Sequence, residues 1–360
     1  MSHLLETVRW SDGKVRILDQ RRLPADEVYL DLERLEQVEE AIRTLAVRGA
    51  PAIGVAGALG LAQEAGRLAA HAAGEAEDCR EELRPCVGDD GKAAYLAAVE
   101  AAAERLAAVR PTAVNLRWGL RRVCDDLRAR ARGPATPAEL AEASLAEAQA
   151  ILEEDLALSR AMAEHGIPLL PPEAKVISHC NTGGLATAGG GTALGVVLEA
   201  HARGRKVFVY VDETRPLLQG ARLTAWELQR AGIPYAIQCD GAAAWRMRTA
   251  HIDCVLVGAD RIASNGDTAN KVGTLSVAIA AREFGVPFYV VAPRSSFDLS
   301  LPDGEAIPIE QRDGEEVLRF GGQPVAPDQG SAWNPAFDVT PARLISAWIT
   351  ERGVEQPPFS

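Results

Sequence analysis

The sequence predicts a two-part α/β protein: a C-terminal doubly wound, Rossmann-like parallel sheet domain preceded by a smaller, mainly helical N-terminal domain. Three observations predict it. Residues 91–165 are dominated by Ala, Leu, Glu and Arg, all strong helix formers. After Pro171-Pro172 the pattern changes to short β-branched runs that alternate with helical stretches. Those runs are continuously apolar, as strands are when helices cover both faces of a parallel sheet joined by right-handed crossovers.

Along the chain, residues 8–30 hold short strand-like pieces around Trp10, Val15 and Val28, and residues 32–47 read as a helix leading into Arg48-Gly49-Ala50-Pro51. Breaks at Arg110-Pro111, Gly133-Pro134 and Thr136-Pro137 divide 91–165 into three helices. Residues 70–91, polar and acidic with Cys79 and Cys86, form an excursion between helices. Strands are expected over 175–180, 206–211, 234–239, 254–258 and 287–292, with helices beginning near Gly191, Pro216, Ala242 and Gly273. The domain boundary is placed so that 1–142 is the helical domain and 143–360 the Rossmann-like catalytic domain.

With 360 residues, 47% of them hydrophobic, the chain can fill the cores of two domains. No run approaches the ~20 apolar residues of a membrane span, and the first ten residues lack the basic start and apolar stretch of a signal peptide. A cytoplasmic protein without a membrane partner is expected. The formal charge of −12 repels nucleic acid, and no basic stripe offsets it. A small anionic substrate needs only a few well-placed cations. Six scattered cysteines without a CxxC pair argue against a zinc site or a disulfide framework.

In open parallel sheets ligands bind beyond the carboxyl ends of the strands, so the residues closing each strand carry the most information. Here they are Cys180, Asp212, Asp240 and Asp260. Each aspartate alone also reads as a cap for the helix that follows. Cys180 precedes Asn-Thr-Gly-Gly and then Gly189-Gly190-Gly191 at a helix start, where free N–H groups can stabilise a thiolate. It reads equally as a buried structural cysteine. The glycines do not make a nucleotide fingerprint, because Gly190 stands where a P-loop needs Lys and the G-x-G-x-x-G spacing is absent.

Arg48-Gly49-Ala50-Pro51 offers a cation beside backbone N–H groups at a helix start, which suits a phosphate, although a loop Arg is also an ordinary solvated charge. Residues 258–274 place Asp260 at a strand end, a turn at Asn265-Gly266, and then Asn270-Lys271 entering a helix. A cation there opposes the helix dipole unless an anion sits nearby, or unless Lys271 pairs with Asp260 or Asp267. His179 and Cys180, as strand neighbours, should face opposite sides and not chelate one ion.

The segments VRGAPAIG (47–54), RPTAVNLRWGL (110–120), SHCNTGGLATAGGGTALG (178–195), DETRPLLQGARLTAWEL (212–228), GADRIASNGDTANKVGT (258–274) and NPAFDVTP (334–341) closely resemble the methylthioribose-1-phosphate isomerases, in the family's order and over nearly the whole chain. The superfamily also contains ribose-1,5-bisphosphate isomerases and non-catalytic regulatory subunits of the exchange factor for eukaryotic initiation factor two. The resemblance implies an aldose-ketose isomerase of methionine salvage, a homodimer that uses no cofactor and no metal. It implies a catalytic pair at Cys180 and Asp260. It implies substrate contacts at Arg48, Gly49, Ala50, Arg110, Gln219, Asn270 and Lys271. By this resemblance Asp260 protonates the ring oxygen, for which burial beside Val257 and Ala259 would have to raise its pKa. The 70–91 excursion is longer than the family leads one to expect, but no matched motif lies in it.

Overall fold

The computed structural model describes residues 5–74, 91–110 and 113–359. They form two compact units, one of Leu5–Leu156 with Ala186–Gly189 and one of residues 157–185 and 190–359. The excursion with Cys79 and Cys86 lies, from 75 to 90, outside the described residues.

The N-terminal unit opens with three antiparallel strands, β1 (Val8–Ser11), β2 (Lys14–Leu18) and β3 (Tyr29–Leu32). The β1–β2 turn is Asp12-Gly13, both with positive φ (51° and 79°), the backbone that a two-residue hairpin demands and that Asp-Gly supplies. Helices α1 (Leu35–Arg43), α2 (Ala50–Ala72), α3 (Gly91–Ala107) and α4 (Val114–Ala131) follow. Helix α5 (Pro137–Gly166) carries residues of both units, the division falling at Leu156–Ala157. The expected helix in 32–47 and the three in 91–165 are therefore α1 and α3 to α5. Helix α2 is buried along most of its length, and glycines bring α4 against it: a Cβ on Gly54 would lie 2.8 Å from the Asn115 carbonyl oxygen.

The C-terminal unit contains β4 (Glu173–Ser178), α6 (Ala193–Ala202), β5 (Lys206–Asp212), α7 (Ala225–Arg230), β6 (Tyr235–Gln238), α8 (Ala243–Thr249) and β7 (Cys254–Val257). A second set comprises β8 (Arg261–Ala263), β9 (Thr268–Lys271), α9 (Thr274–Glu283), β10 (Phe288–Val291) and β11 (Phe297–Asp298). It ends with α10 (Glu315–Leu318), the β12–β13 hairpin (Arg319–Phe320, Gln323–Pro324), β14 (Phe337–Thr340), β15 (Ala347–Thr350) and β16 (Gly353–Glu355).

The main sheet runs β16-β15-β10-β7-β4-β5-β6, parallel except for the β16 edge. Counted in chain order, its six parallel strands stand 3-2-1-4-5-6, the doubly wound arrangement, and the order reverses between β4 and β7. Alternate residues feed two cores. Val176, Val209 and Leu256 pack with α6 and α7 on one face, and Ile177, Val255 and Val257 with α8 and α9 on the other. The five expected strands are β4, β5, β6, β7 and β10. The helix expected from Pro216 begins later, with a π-type turn at Gly220–Thr224 leading into α7.

A smaller sheet, β11-β8-β9-β14, follows from the expected turn at Asn265-Gly266. One expectation needs correcting. Asn270-Lys271 closes β9 instead of opening a helix, because Gly273 (φ 106°) turns the chain before α9 starts at Thr274. Among the described residues no helix is long and apolar enough to cross a membrane.

Candidate active site

Strands β4 and β7 lie side by side at the switch point, with Ser178 opposite Leu256. Cys180 follows the first and Asp260 the second, so the topology sets the thiol and the carboxylate beyond two adjacent carboxyl ends. Asp260 is half-buried, and its N–H donates to the Ala269 carbonyl at 2.9 Å, which ties it to β9.

Cys180 is 7% exposed and has φ 65°, a left-handed backbone that a residue with a Cβ seldom adopts. Two threonines hold it there. The Cys180 N–H donates to Thr214 Oγ1 at 2.8 Å, and Thr224 Oγ1 donates to the Cys180 carbonyl at 2.8 Å. Strained backbone of this kind persists where surrounding bonds over-determine it. The strand alternation expected for His179 and Cys180 does not apply, since β4 ends at Ser178 and the chain leaves the pleat.

The strand-end aspartates do not serve as helix caps. Asp212 accepts from Gln238 Nε2 at 2.9 Å and faces His179 Nδ1 at 3.1 Å, while both Asp240 oxygens accept backbone N–H groups, from Thr214 at 2.7 Å and Arg215 at 2.8 Å. His179 is fully buried, and its Nε2 lies 2.9 Å from the Val272 carbonyl. Burial alone would push the imidazole pKa down; the bond and charge of Asp212, helped by Val272, outweigh it, and the net direction is up. His179, Asp212 and Asp240 place ligand-type atoms within 4.8 Å of one another, and these atoms are already engaged in the bonds just described. Sequence reading assigned His179 no role beyond facing away from Cys180, and it missed the pairing with Asp212. The register Ser178↔Val211, which sets His179 beside Asp212, is the signal that finds it, and it requires the strand pairing.

Glu227 fixes the loop after Cys180. Buried on α7, it accepts from Asn181 Nδ2 and the Gly184 N–H, both at 2.7 Å. A Cβ on Gly183 would overlap its carboxylate at 2.3 Å, so a larger residue there would have to displace the Glu227 side chain from these bonds.

The remaining expected residues divide between the units. In the C-terminal unit Gln219 is 5% exposed, and its Oε1 is buried without a hydrogen-bond partner among the described residues. Asn270 Nδ2 donates to Thr274 Oγ1 at 3.0 Å. Lys271 Nζ donates to the Ala336 carbonyl at 2.7 Å and lies 4.7 Å from the Phe337 ring centroid, while Asp267 accepts from the Ala342 and Gly304 N–H groups. In the N-terminal unit Arg48 is half-buried just ahead of α2. Gly49 (φ 95°) is pressed so close to Ala186 that a Cβ would come within 2.4 Å of its carbonyl oxygen, and Ala50 and Pro51 begin the helix. Arg110, also half-buried, follows α3.

Residues 46–357 match the initiation factor 2 subunit family. The chain is 52% identical over 360 residues to the methylthioribose-1-phosphate isomerase of Roseiflexus castenholzii, covering 100% of this chain and 97% of that one. The chain belongs to that family. Its fold matches the crystal structure of 5-methylthioribose 1-phosphate isomerase from Pyrococcus horikoshii OT3 with a TM-score of 0.86 at 41% identity, over 99% of this chain and 94% of the other. It also matches a structure described as translation initiation factor eIF-2B, subunit delta, from A. fulgidus, with a TM-score of 0.81 at 38% identity over 98% and 96% of the two chains. The family thus spans names of two kinds on one fold, and the choice between them rests on the site.

Proposed function

We propose that the protein is an aldose-ketose isomerase converting 5-methylthioribose 1-phosphate into 5-methylthioribulose 1-phosphate, with Asp260 as acid and Cys180 as the group that handles the C2 hydrogen. The observation that supports it most is the placement of a thiol and a carboxylate after the two adjacent strands at which the sheet order reverses, the thiol on strained backbone. A purely binding module has no need of that pair.

Phosphate on the anomeric oxygen prevents the ring from opening as a free hemiacetal does. Asp260 delivers a proton to the ring oxygen as its bond to C1 breaks. The hydrogen on C2 moves to C1, the C2 hydroxyl proton leaves and restores the acid, and C2 becomes the ketone. Cys180 either takes the C2 proton and returns it to C1 through a cis-enediol, or polarises C2 for direct hydride migration. Running the reaction in D₂O tests the enediol route: deuterium reaches C1 of the product if the Cys180 thiol exchanges with solvent before returning a proton, and direct hydride migration can place none there.

Arg48, the Gly49-Ala50 backbone, Arg110, Asn270 and Lys271 serve the phosphate and sugar in this proposal, and the unmatched Gln219 Oε1 accepts a sugar hydroxyl. With this activity goes a cytoplasmic homodimer recycling methylthioadenosine-derived sulfur toward methionine. Purified protein incubated with 5-methylthioribose 1-phosphate and, separately, ribose 1,5-bisphosphate, followed by NMR, tests the reading. Ketose from the first substrate alone is expected. Ketose only from the second identifies a bisphosphate isomerase, and turnover of neither favours the regulatory-subunit reading that the A. fulgidus likeness raises.

A further inference from the structure

Cys180 lies beyond the end of β4, where its backbone N–H and C=O have lost the sheet ladder and would be orphaned in a buried site. Both are taken up by hydroxyls from outside the strand. Thr214 Oγ1 receives the N–H and donates onward to the Asp212 carbonyl at 2.9 Å, and Thr224 Oγ1 donates to the C=O. Both threonines have no exposed surface.

Thr214 is itself held in an unusual backbone, whereas Thr224 has ordinary helical dihedrals (φ −62°, ψ −44°) at the end of a distorted turn. Thr214 has φ 64°, rare for a β-branched residue, and its N–H and that of Arg215 are clamped by the two Asp240 oxygens. Thr224 closes the π-type turn Gly220–Thr224, a deformation common at functional sites. Gly220, which opens that turn, sits where a Cβ would come within 1.8 Å of the Asp212 carbonyl oxygen, so the start of the turn is packed against the end of β5. The left-handed Thr214 and the π-type turn that ends at Thr224 thus supply the partners for the two backbone groups of one residue.

We infer that Thr214 and Thr224 are positioning residues which, with Asp240 behind Thr214, hold Cys180 in the left-handed conformation that aims its thiol at the substrate. The inference rests on Cys180 being the reacting thiol. The threonines touch no reacting atom; they act through the Cys180 backbone, and losing either lets the residue relax toward the extended region that L-residues prefer.

The test replaces each hydroxyl without changing side-chain shape. Thr214→Val and Thr224→Val are compared with Thr214→Ser and Thr224→Ser, and with Cys180→Ala, by steady-state kinetics on 5-methylthioribose 1-phosphate and by mass-spectrometric rates of iodoacetamide modification at Cys180. Exposed Cys239 is the internal reference. Misplacing a reacting group by about an ångström is worth ~10²-fold, so each Val variant should lose ~10- to 10²-fold in kcat with little change in KM, and each Ser variant should recover most of it. Cys180 modification should accelerate several-fold in the Val variants, because the thiol leaves its buried setting, while Cys239 is unchanged. Wild-type kcat and wild-type modification rates in both Val variants, with Cys180→Ala inactive, overturn the inference. Full turnover in Cys180→Ala overturns the site assignment instead, and the modification rates then judge the clamp on their own. If Thr214→Val does not fold, the Thr224 pair carries the same decision.

Discussion

The imidazole of His179 faces the carboxylate of Asp212 at 3.1 Å with both side chains fully buried, one residue before Cys180. Its other nitrogen is committed to the Val272 carbonyl, one residue beyond Lys271. The pair thus fastens the end of β4 to the segment that carries Asn270 and Lys271.

His179→Gln should be destabilising. Removing the imidazole leaves the buried Asp212 carboxyl short of one hydrogen-bond partner, which costs roughly 1–3 kcal/mol. The pH dependence has a definite sign. Burial pushes the His179 pKa down, but the Asp212 bond and charge more than reverse this, so its folded value lies above the unfolded one. The stability that it contributes is fully present below about 6.5 and is lost as pH rises through the raised folded value. Thermal melts from pH 6 upward should therefore fall more steeply for the wild type than for His179→Gln. Parallel curves would show that the pair does not hold its proton.

Asp155 on α5 accepts the Ala188 N–H at 2.6 Å, and burial pushes its carboxyl up to about 6, the single hydrogen bond lowering it only in part. A raised acid contributes stability that is present below its unfolded value, near 3.8, and lost as pH rises through about 6. Asp155→Asn cannot ionise and keeps an acceptor for Ala188. Its melting temperature relative to the wild type should climb between pH 4 and pH 7, and a pH-independent difference would refute the assignment.

How much of this was legible in the sequence depends on the range of the interactions involved. Strands β4, β5, β6, β7 and β10 announce themselves as apolar β-branched runs, and the helices as Ala/Leu/Glu stretches, because those signals are local. The positions of Cys180 and Asp260 past the carboxyl ends of β4 and β7 were legible from the strand pattern, which marked Asp212 and Asp240 equally; the resemblance alone singled out the pair. Strands β8, β9 and β11 were hidden in two- to four-residue pieces, and β14 and β15 in a tail whose pairing partners, β9 and β10, lie far back in the chain. The conformation of Cys180 was illegible for the same reason: Thr214 and Thr224 stand 34 and 44 positions away, and only the folded sheet brings them to it. The strand-end aspartates misled because capping is the nearest explanation in sequence, whereas Asp212 and Asp240 spend their oxygens on neighbouring strands and loops.

Arg48→Lys tests phosphate recognition. Lysine keeps the charge but loses the planar, two-pronged geometry of the guanidinium. The phosphate sits on C1, the carbon that receives the hydrogen, so both KM and kcat should worsen, together by ~10-fold or more. Unaltered affinity and turnover would make Arg48 an ordinary loop charge.

The most direct measurement is turnover of 5-methylthioribose 1-phosphate, followed by NMR, for the wild type beside Cys180→Ala and Asp260→Asn. Acid-base groups are commonly worth ~10²- to 10⁴-fold, so conversion to the ketose by the wild type with losses of that size in both variants, each folded by circular dichroism, is the expected result. Near-normal conversion in either variant would remove that residue from the reaction and contradict the assignment of the switch-point pair as the catalytic one.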